Sequence, residues 1–247
     1  MWPHSATGRI MSTSDPLATS LGMRVILDLE NGLAIEDLIE GVRAYAVATG
    51  YDGSLNVLKQ RTGATIDLRN ADHRTAVLTW LRQWGCRHLN LASDAVASSA
   101  LLAWADARLS QIPELDSTLP TLPTNDLTKL AVAYGHLSDS VAGLRRLATG
   151  DRAVTFGPTA AAKTLYAIRP NSCAPWDDPI RHGLGLGRND AAYRSYLQLV
   201  ARALSMLSER TGVEVADLPV HVGRPASSPP KLIDEYLWMR ITRGSAP

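Results

Sequence analysis

From Val154 to Gly185 the chain reads VTFGPTAAAKTLYAIRPNSCAPWDDPIRHGLG, and this stretch decides the fold. Its first half predicts a tight turn at Phe156 and Gly157, followed at once by a small-residue helix, TAAAKTLYAI. The preceding segment, SVAGLRRLATGD, reads as the arginine-rich end of a longer helix that stops at Gly150. Helix, hairpin turn and helix thus follow one another, and the alanines at 160 to 162 let the two helices approach closely. The first N–H groups of the second helix have no partners inside it, and the positive end of its dipole reinforces them, so the turn suits a phosphate. After a second turn, RPNSCAP, Trp176, Asp177 and Asp178 precede Pro179. Proline suits the first turn of a helix, which puts Asp177 or Asp178 near its N-cap.

Working outward, apolar residues recur at spacings of three and four between Pro, Gly, Asp and Asn punctuation, the signature of helices. The pattern predicts helices at 35 to 48, 54 to 61, 71 to 84, 94 to 109, 125 to 148, 158 to 168, 178 to 184, 189 to 210 and 230 to 241. MRVILDLENG (Met23 to Gly32) is the one β-rich stretch, a short strand or an extended entry into the bundle. The fold class is therefore all-α. The proline-rich segment PELDSTLPTLPTND (113 to 126) is expected to link an N-terminal helical lobe, 17 to 112, to a C-terminal lobe, 127 to 247, that carries the hairpin and the aspartates. A second loop, PVHVGRPASSPP, leads into KLIDEYLWMRIT, an amphipathic helix expected to dock on the core.

The chain has 247 residues, 45% of them hydrophobic, enough for a real core. Its formal net charge is only +1, so any nucleic-acid footprint must be local. Arg145, Arg146, Arg152, Lys163, Arg169, Arg181 and Arg188 supply one, gathered around the hairpin. Two cysteines, Cys86 and Cys173, are too few for a disulfide framework or a four-cysteine iron–sulfur site and suit a reducing cytoplasm. No apolar run approaches the roughly 20 residues of a membrane span, and the opening stretch MWPHSATGRIMSTSD has neither the apolar core of a signal peptide nor any periodicity. A cytoplasmic protein with no membrane partner and no obligate protein partner is expected. His73, His88, His136, His182 and His221 show no paired spacing, so no metal site and no cofactor are expected. GLGLGRND (183 to 190) follows a helix and not a strand, the wrong context for a nucleotide loop.

The hairpin segment resembles the helix-hairpin-helix DNA glycosylase superfamily, whose hairpin ends in G-x-G, continues into a small-residue helix, and reaches an aspartate followed by a short V/I-x-R motif. Asp177 stands 20 residues after Gly157, the spacing found between the second hairpin glycine and the catalytic aspartate in the adenine glycosylase branch, and D-D-P-I-R resembles the sequence that follows it there. The resemblance covers about thirty residues. It implies a monofunctional DNA glycosylase acting on double-stranded DNA with Asp177 as the catalytic carboxylate, Asp178 falling on a variable position. It also implies backbone contacts from Thr155, Phe156, Gly157, Thr159, Lys163, Arg145, Arg146, Arg152 and Arg181. Two departures matter: Thr155 replaces the first hairpin glycine, and Thr159 stands where bifunctional members carry a lysine, with Lys163 one turn later.

Cleaving an N-glycosidic bond develops oxocarbenium charge on the sugar, and a carboxylate beneath that sugar stabilises it or orients water. The target base must leave the stack for an aromatic pocket. Trp176, Asp178 and Tyr134 are candidates for that pocket, while Trp80, Trp84 and Trp104, at helical spacings in the N-terminal half, are read as core. The resemblance extends to a branch that removes hypermodified phage bases, including glucosylated hydroxymethylcytosine, as antiphage defence. An aspartate before a proline is also a common cap, and a hairpin of this kind also serves as a plain DNA clamp, so a non-catalytic binding module and a nucleoside hydrolase remain alternatives.

Overall fold

A computed structural model describes residues 16–49, 54–90, 94–148 and 150–243; the opening stretch before Pro16 lies outside them. The described chain is mostly helical. In order come α1 (Pro16–Asn31), α2 (Ile35–Thr49), α3 (Ser54–Thr62), α4 (Ala71–Gln83), α5 (Asp94–Arg108) and α6 (Thr124–Asp139). Two strands, β1 (Val141–Leu147) and β2 (Gly150–Thr155), follow. The chain then forms α7 (Gly157–Ile168), α8 (Asp178–Gly183), α9 (Asp190–Thr211), the short α10 (Leu218–His221) and α11 (Pro229–Thr242). No helix among the described residues is long and apolar enough to cross a membrane.

Two local expectations are corrected. Met23 to Asn31 belong to α1, not to a strand. Val25 and Leu29, four apart, are fully buried while Met23 and Leu27 face solvent, which is helical and not alternating burial. The helix expected to run to 148 instead ends at Asp139. Ser140 turns extended and its Oγ donates to the His136 carbonyl at 2.7 Å, closing the last turn. The arginine-rich segment that follows is an antiparallel β-ribbon, so the first arm of the expected hairpin is strand and not helix. Val141 and Leu144 are exposed, so their helical spacing meets no core to hold a helix face, and Gly150, at φ +119°, takes a turn conformation that glycine adopts without strain.

One continuous core runs from Val25 on α1 to Leu237 on α11. The helices of the N-terminal half do not stand apart: α2 packs along α11, α1 lies against α9 and α8, and α4 touches α7. At the centre is α7, where every residue from Ala160 to Ile168 is buried. The proline-rich segment is stitched to the loop after α7. Leu119 N–H donates to the Asn171 carbonyl at 2.9 Å, Ser172 Oγ to the Ser117 carbonyl at 2.5 Å, and buried Arg169 to the Pro113 carbonyl at 2.5 Å. Arg169 is therefore a structural strut and not part of a basic surface.

Candidate functional site

Asp177 is the N-cap of α8, and its Oδ1 accepts from the Ile180 N–H at 3.1 Å. Two tyrosines of α9 fix the approach to it. Tyr193 donates its hydroxyl to the Ala174 carbonyl and Tyr196 to the Pro175 carbonyl, each at 3.0 Å. Beneath the loop, Trp176 stacks on Tyr196 with ring centres 5.2 Å apart and meets Tyr134 and Tyr193 edge-on. The aspartate thus sits on a rigid aromatic base. Trp176 is 1% exposed and Tyr134 0%, and the Tyr134 hydroxyl is used on the Arg188 carbonyl at 3.0 Å. Neither ring presents a face to solvent, so these two expected pocket residues support the loop from below.

Asp178, beside it, points outward. Its carboxylate is 54% exposed and takes up Arg181 at 3.1 Å. Arg181 is buried and also donates to the Leu186 carbonyl at 3.2 Å, which commits its guanidinium within the protein and not to a phosphate. Lys163 departs further from the expected DNA surface. It is 8% exposed, donates to the Trp84 carbonyl at 2.5 Å, and lies over the Trp84 ring at 4.4 Å.

Lys163 instead joins a buried cluster that sequence reasoning missed. Lys231 of α11, 4% exposed, donates to Asp234 Oδ2 at 2.6 Å and to the Tyr45 hydroxyl at 3.3 Å. Its ammonium stands 4.7 Å from the Tyr45 ring and 5.2 Å from the Trp84 ring. Both lysines act electrostatically on Asp177 and on Asp234. Burial pushes the Asp177 carboxyl above its ordinary range; the Ile180 N–H, Lys163 and Lys231 pull it back, and Asp178 pushes it up again. Burial likewise lifts Asp234 to about 6 against the pull of Lys231. Cys86 is near enough that Lys163 and Asp177 act on its thiol in opposite senses, though burial dominates and raises it. Two ammonium groups, two carboxylates and a half-buried Trp84 therefore meet where α4, α7, α8 and α11 converge. Buried charges are costly to desolvate and contribute little net stability, and a perturbed carboxylate beside specific charge partners is a candidate functional site. The signal was present in α11, where Lys231, Asp234 and Glu235 interrupt an apolar run that has no polar face.

The other expected DNA contacts lie at the start of α7 and on the ribbon that precedes it. Phe156 is fully buried, and its carbonyl lies 2.8 Å from His88 Nε2. Gly157, at φ +71° with open space where a Cβ would be, starts the helix, which has no side-chain cap. A cavity of about 680 Å³ opens there, its lining including His136, Thr155, Gly157, Pro158, Arg188 and Asp190. Thr159 is half-buried on the first turn. Arg145, Arg146 and Arg152 are exposed on the ribbon. Among the described residues, no cluster of three or more His, Cys, Asp or Glu side chains could hold a metal ion. No protein-family model matches the chain, and neither a curated protein nor a solved structure matches it.

Proposed function

We propose that this protein is a monofunctional DNA glycosylase that hydrolyses the N-glycosidic bond of a modified or mispaired base extruded from double-stranded DNA, with Asp177 as its carboxylate. The observation that carries the reading is the placement of Asp177, half-buried at a helix N-cap, one oxygen held by a backbone N–H, with two buried ammonium groups acting on it. Such a carboxylate is held ready to face a developing oxocarbenium without reorganising, which is the main requirement of this chemistry. Burial strengthens its field, while Lys163 and Lys231 favour the ionised form the reaction needs.

Two further features fit a DNA substrate. The uncapped start of α7 opens into a cavity with Arg188 on its lining, and the ribbon arginines lie next to it in sequence, an arrangement suited to phosphates. Trp84, part-exposed between two lysines, offers the aromatic wall that Trp176 does not. Substrates in the class of hypermodified phage bases, and with them an antiphage role, are part of this proposal.

The test is to incubate the protein with duplexes carrying different base modifications, glucosylated hydroxymethylcytosine among them, and to identify released bases by mass spectrometry. Release from at least one duplex, abolished in Asp177→Asn, is the expected result. Release from free nucleosides alone would make the protein a nucleoside hydrolase. Duplex binding without any release would make it a clamp.

A further inference from the structure

The ribbon between α6 and α7 is anchored at one end and free at the other. Phe156 N–H donates to the Ser140 carbonyl at 3.0 Å and closes its base, and Ala142 is buried where β1 runs beside α5. Beyond that base, Leu144, Arg145 and Arg146 on one strand and Asp151, Arg152 and Ala153 on the other are exposed. The register sets Arg145 opposite Arg152, Arg146 opposite Asp151 and Leu144 opposite Ala153. Residues directly opposite in an antiparallel pair project to the same face, so two guanidinium groups stand side by side on one face of the ribbon. Like charges in that position weaken a ribbon. In a chain whose formal net charge is +1, the exposed ribbon concentrates three arginines against one aspartate.

We propose that this ribbon is a DNA arm that enters the major groove of the duplex, with Arg145 and Arg152 turned to the base edges. The inference rests on the glycosylase reading only for its partner, duplex DNA. A two-stranded ribbon fits a groove about 12 Å wide. The four residue pairs beyond the base, rising about 3.3 Å each, give it a free length of roughly 13 Å, more than the roughly 8.5 Å depth of the groove. Paired guanidinium forks match the acceptors that guanine presents there, O6 and N7, and the repulsion between Arg145 and Arg152 is relieved when acceptors lie between them. The arm contacts the duplex through residues that are not part of the Asp177 cluster.

The experiment measures duplex affinity by fluorescence anisotropy for the wild type, for Arg145→Ala with Arg152→Ala, and for Arg202→Ala on the exposed face of α9 as a control. Two duplexes are compared, one ordinary and one with 7-deazaguanine, which removes N7 from the major groove and leaves pairing and minor groove intact. The double variant is expected to bind roughly tenfold or more weakly. Arg202→Ala is expected to match the wild type. The wild type is expected to lose several-fold affinity on the 7-deazaguanine duplex, and the double variant to show no such loss. Since neither arginine contributes to the core, circular dichroism is expected to give the double variant a wild-type melting profile. Equal affinity of wild type and double variant, or equal affinity of the wild type for the two duplexes, would overturn the arm. Failure of the wild type to bind any duplex would instead overturn the glycosylase reading.

Discussion

The Lys231 ammonium lies 2.6 Å from the Asp234 carboxylate one turn along α11, and both side chains are buried. Taking two charges out of water costs several kcal/mol each, and their attraction offsets that only while both are present. Lys231→Met or Asp234→Leu alone is therefore expected to lower stability by about 3–5 kcal/mol, because each removes one half of a buried ion pair. Lys231→Met combined with Asp234→Leu is expected to recover most of that loss. Urea denaturation of the three variants checks this; additive losses in the double variant would mean the pair is not the coupled unit described.

The same pair sets a pH dependence. The Asp234 carboxyl titrates at about 6 in the folded protein, above its ordinary value of 3.8, because burial outweighs the pull of Lys231. Between those values the folded state holds more protons than the unfolded one, so this group's contribution to stability falls as pH rises from about 4 to about 6. A carboxyl carbon NMR titration is expected to show Asp234 with a midpoint near 6 and Asp177 above the usual carboxylate range. Lys231→Met is expected to move both midpoints upward, since a neighbouring cation is removed. A midpoint near 4 for Asp234 would contradict its burial.

Most helices were legible in the sequence because their apolar spacing coincides with their burial: α7 and α9 run within two residues of the ranges that periodicity predicts. Val25 and Leu29 were misread because an apolar, β-branched stretch of ten residues looks alike in either structure, and only packing against α9 decides. The ribbon was misread because Leu144 and Leu147 stand three apart among arginines, a helical spacing, although the strand leaves Leu144 55% exposed. Pro179 made a cap at Asp177 or Asp178 legible, and the hydrogen bond from the Ile180 N–H assigns it to Asp177. Lys163, Lys231, Asp234 and Trp84 were not legible as a group, since Trp84 and Lys231 stand 147 positions apart and only the docking of α11 beside α8 brings them together.

The missing hairpin lysine bears on the fate of the product. Thr159 is on the first turn of α7 with a hydroxyl that forms no imine, and Lys163 is held by the Trp84 carbonyl and ring. On the proposed glycosylase reading, the protein is expected to leave an intact abasic site, with no covalent adduct after borohydride. A trapped adduct would show that an amine reaches the sugar, and its loss in Lys163→Met or Lys231→Met would identify which one.

Asp177 and Asp178 are adjacent but not equivalent, and their variants separate chemistry from capping. Asp177 is half-buried, caps Ile180 and feels the electrostatic pull of two buried ammonium groups, whereas Asp178 is 54% exposed and pairs with Arg181. Asparagine caps a helix about as well as aspartate does, so Asp177→Asn keeps the Ile180 hydrogen bond and removes only the charge. Base release in a single turnover is expected to fall by orders of magnitude, with the melting temperature and duplex affinity close to wild type, because the lost interaction is made mainly in the transition state. Asp177→Ala removes cap and charge together and is expected to cost about 1 kcal/mol of stability besides. Asp178→Asn weakens one surface ion pair and is expected to change release by less than about threefold. Release by Asp177→Asn within about tenfold of wild type would reduce Asp177 to a helix cap and place the chemistry elsewhere in the Lys163, Lys231 and Asp234 cluster.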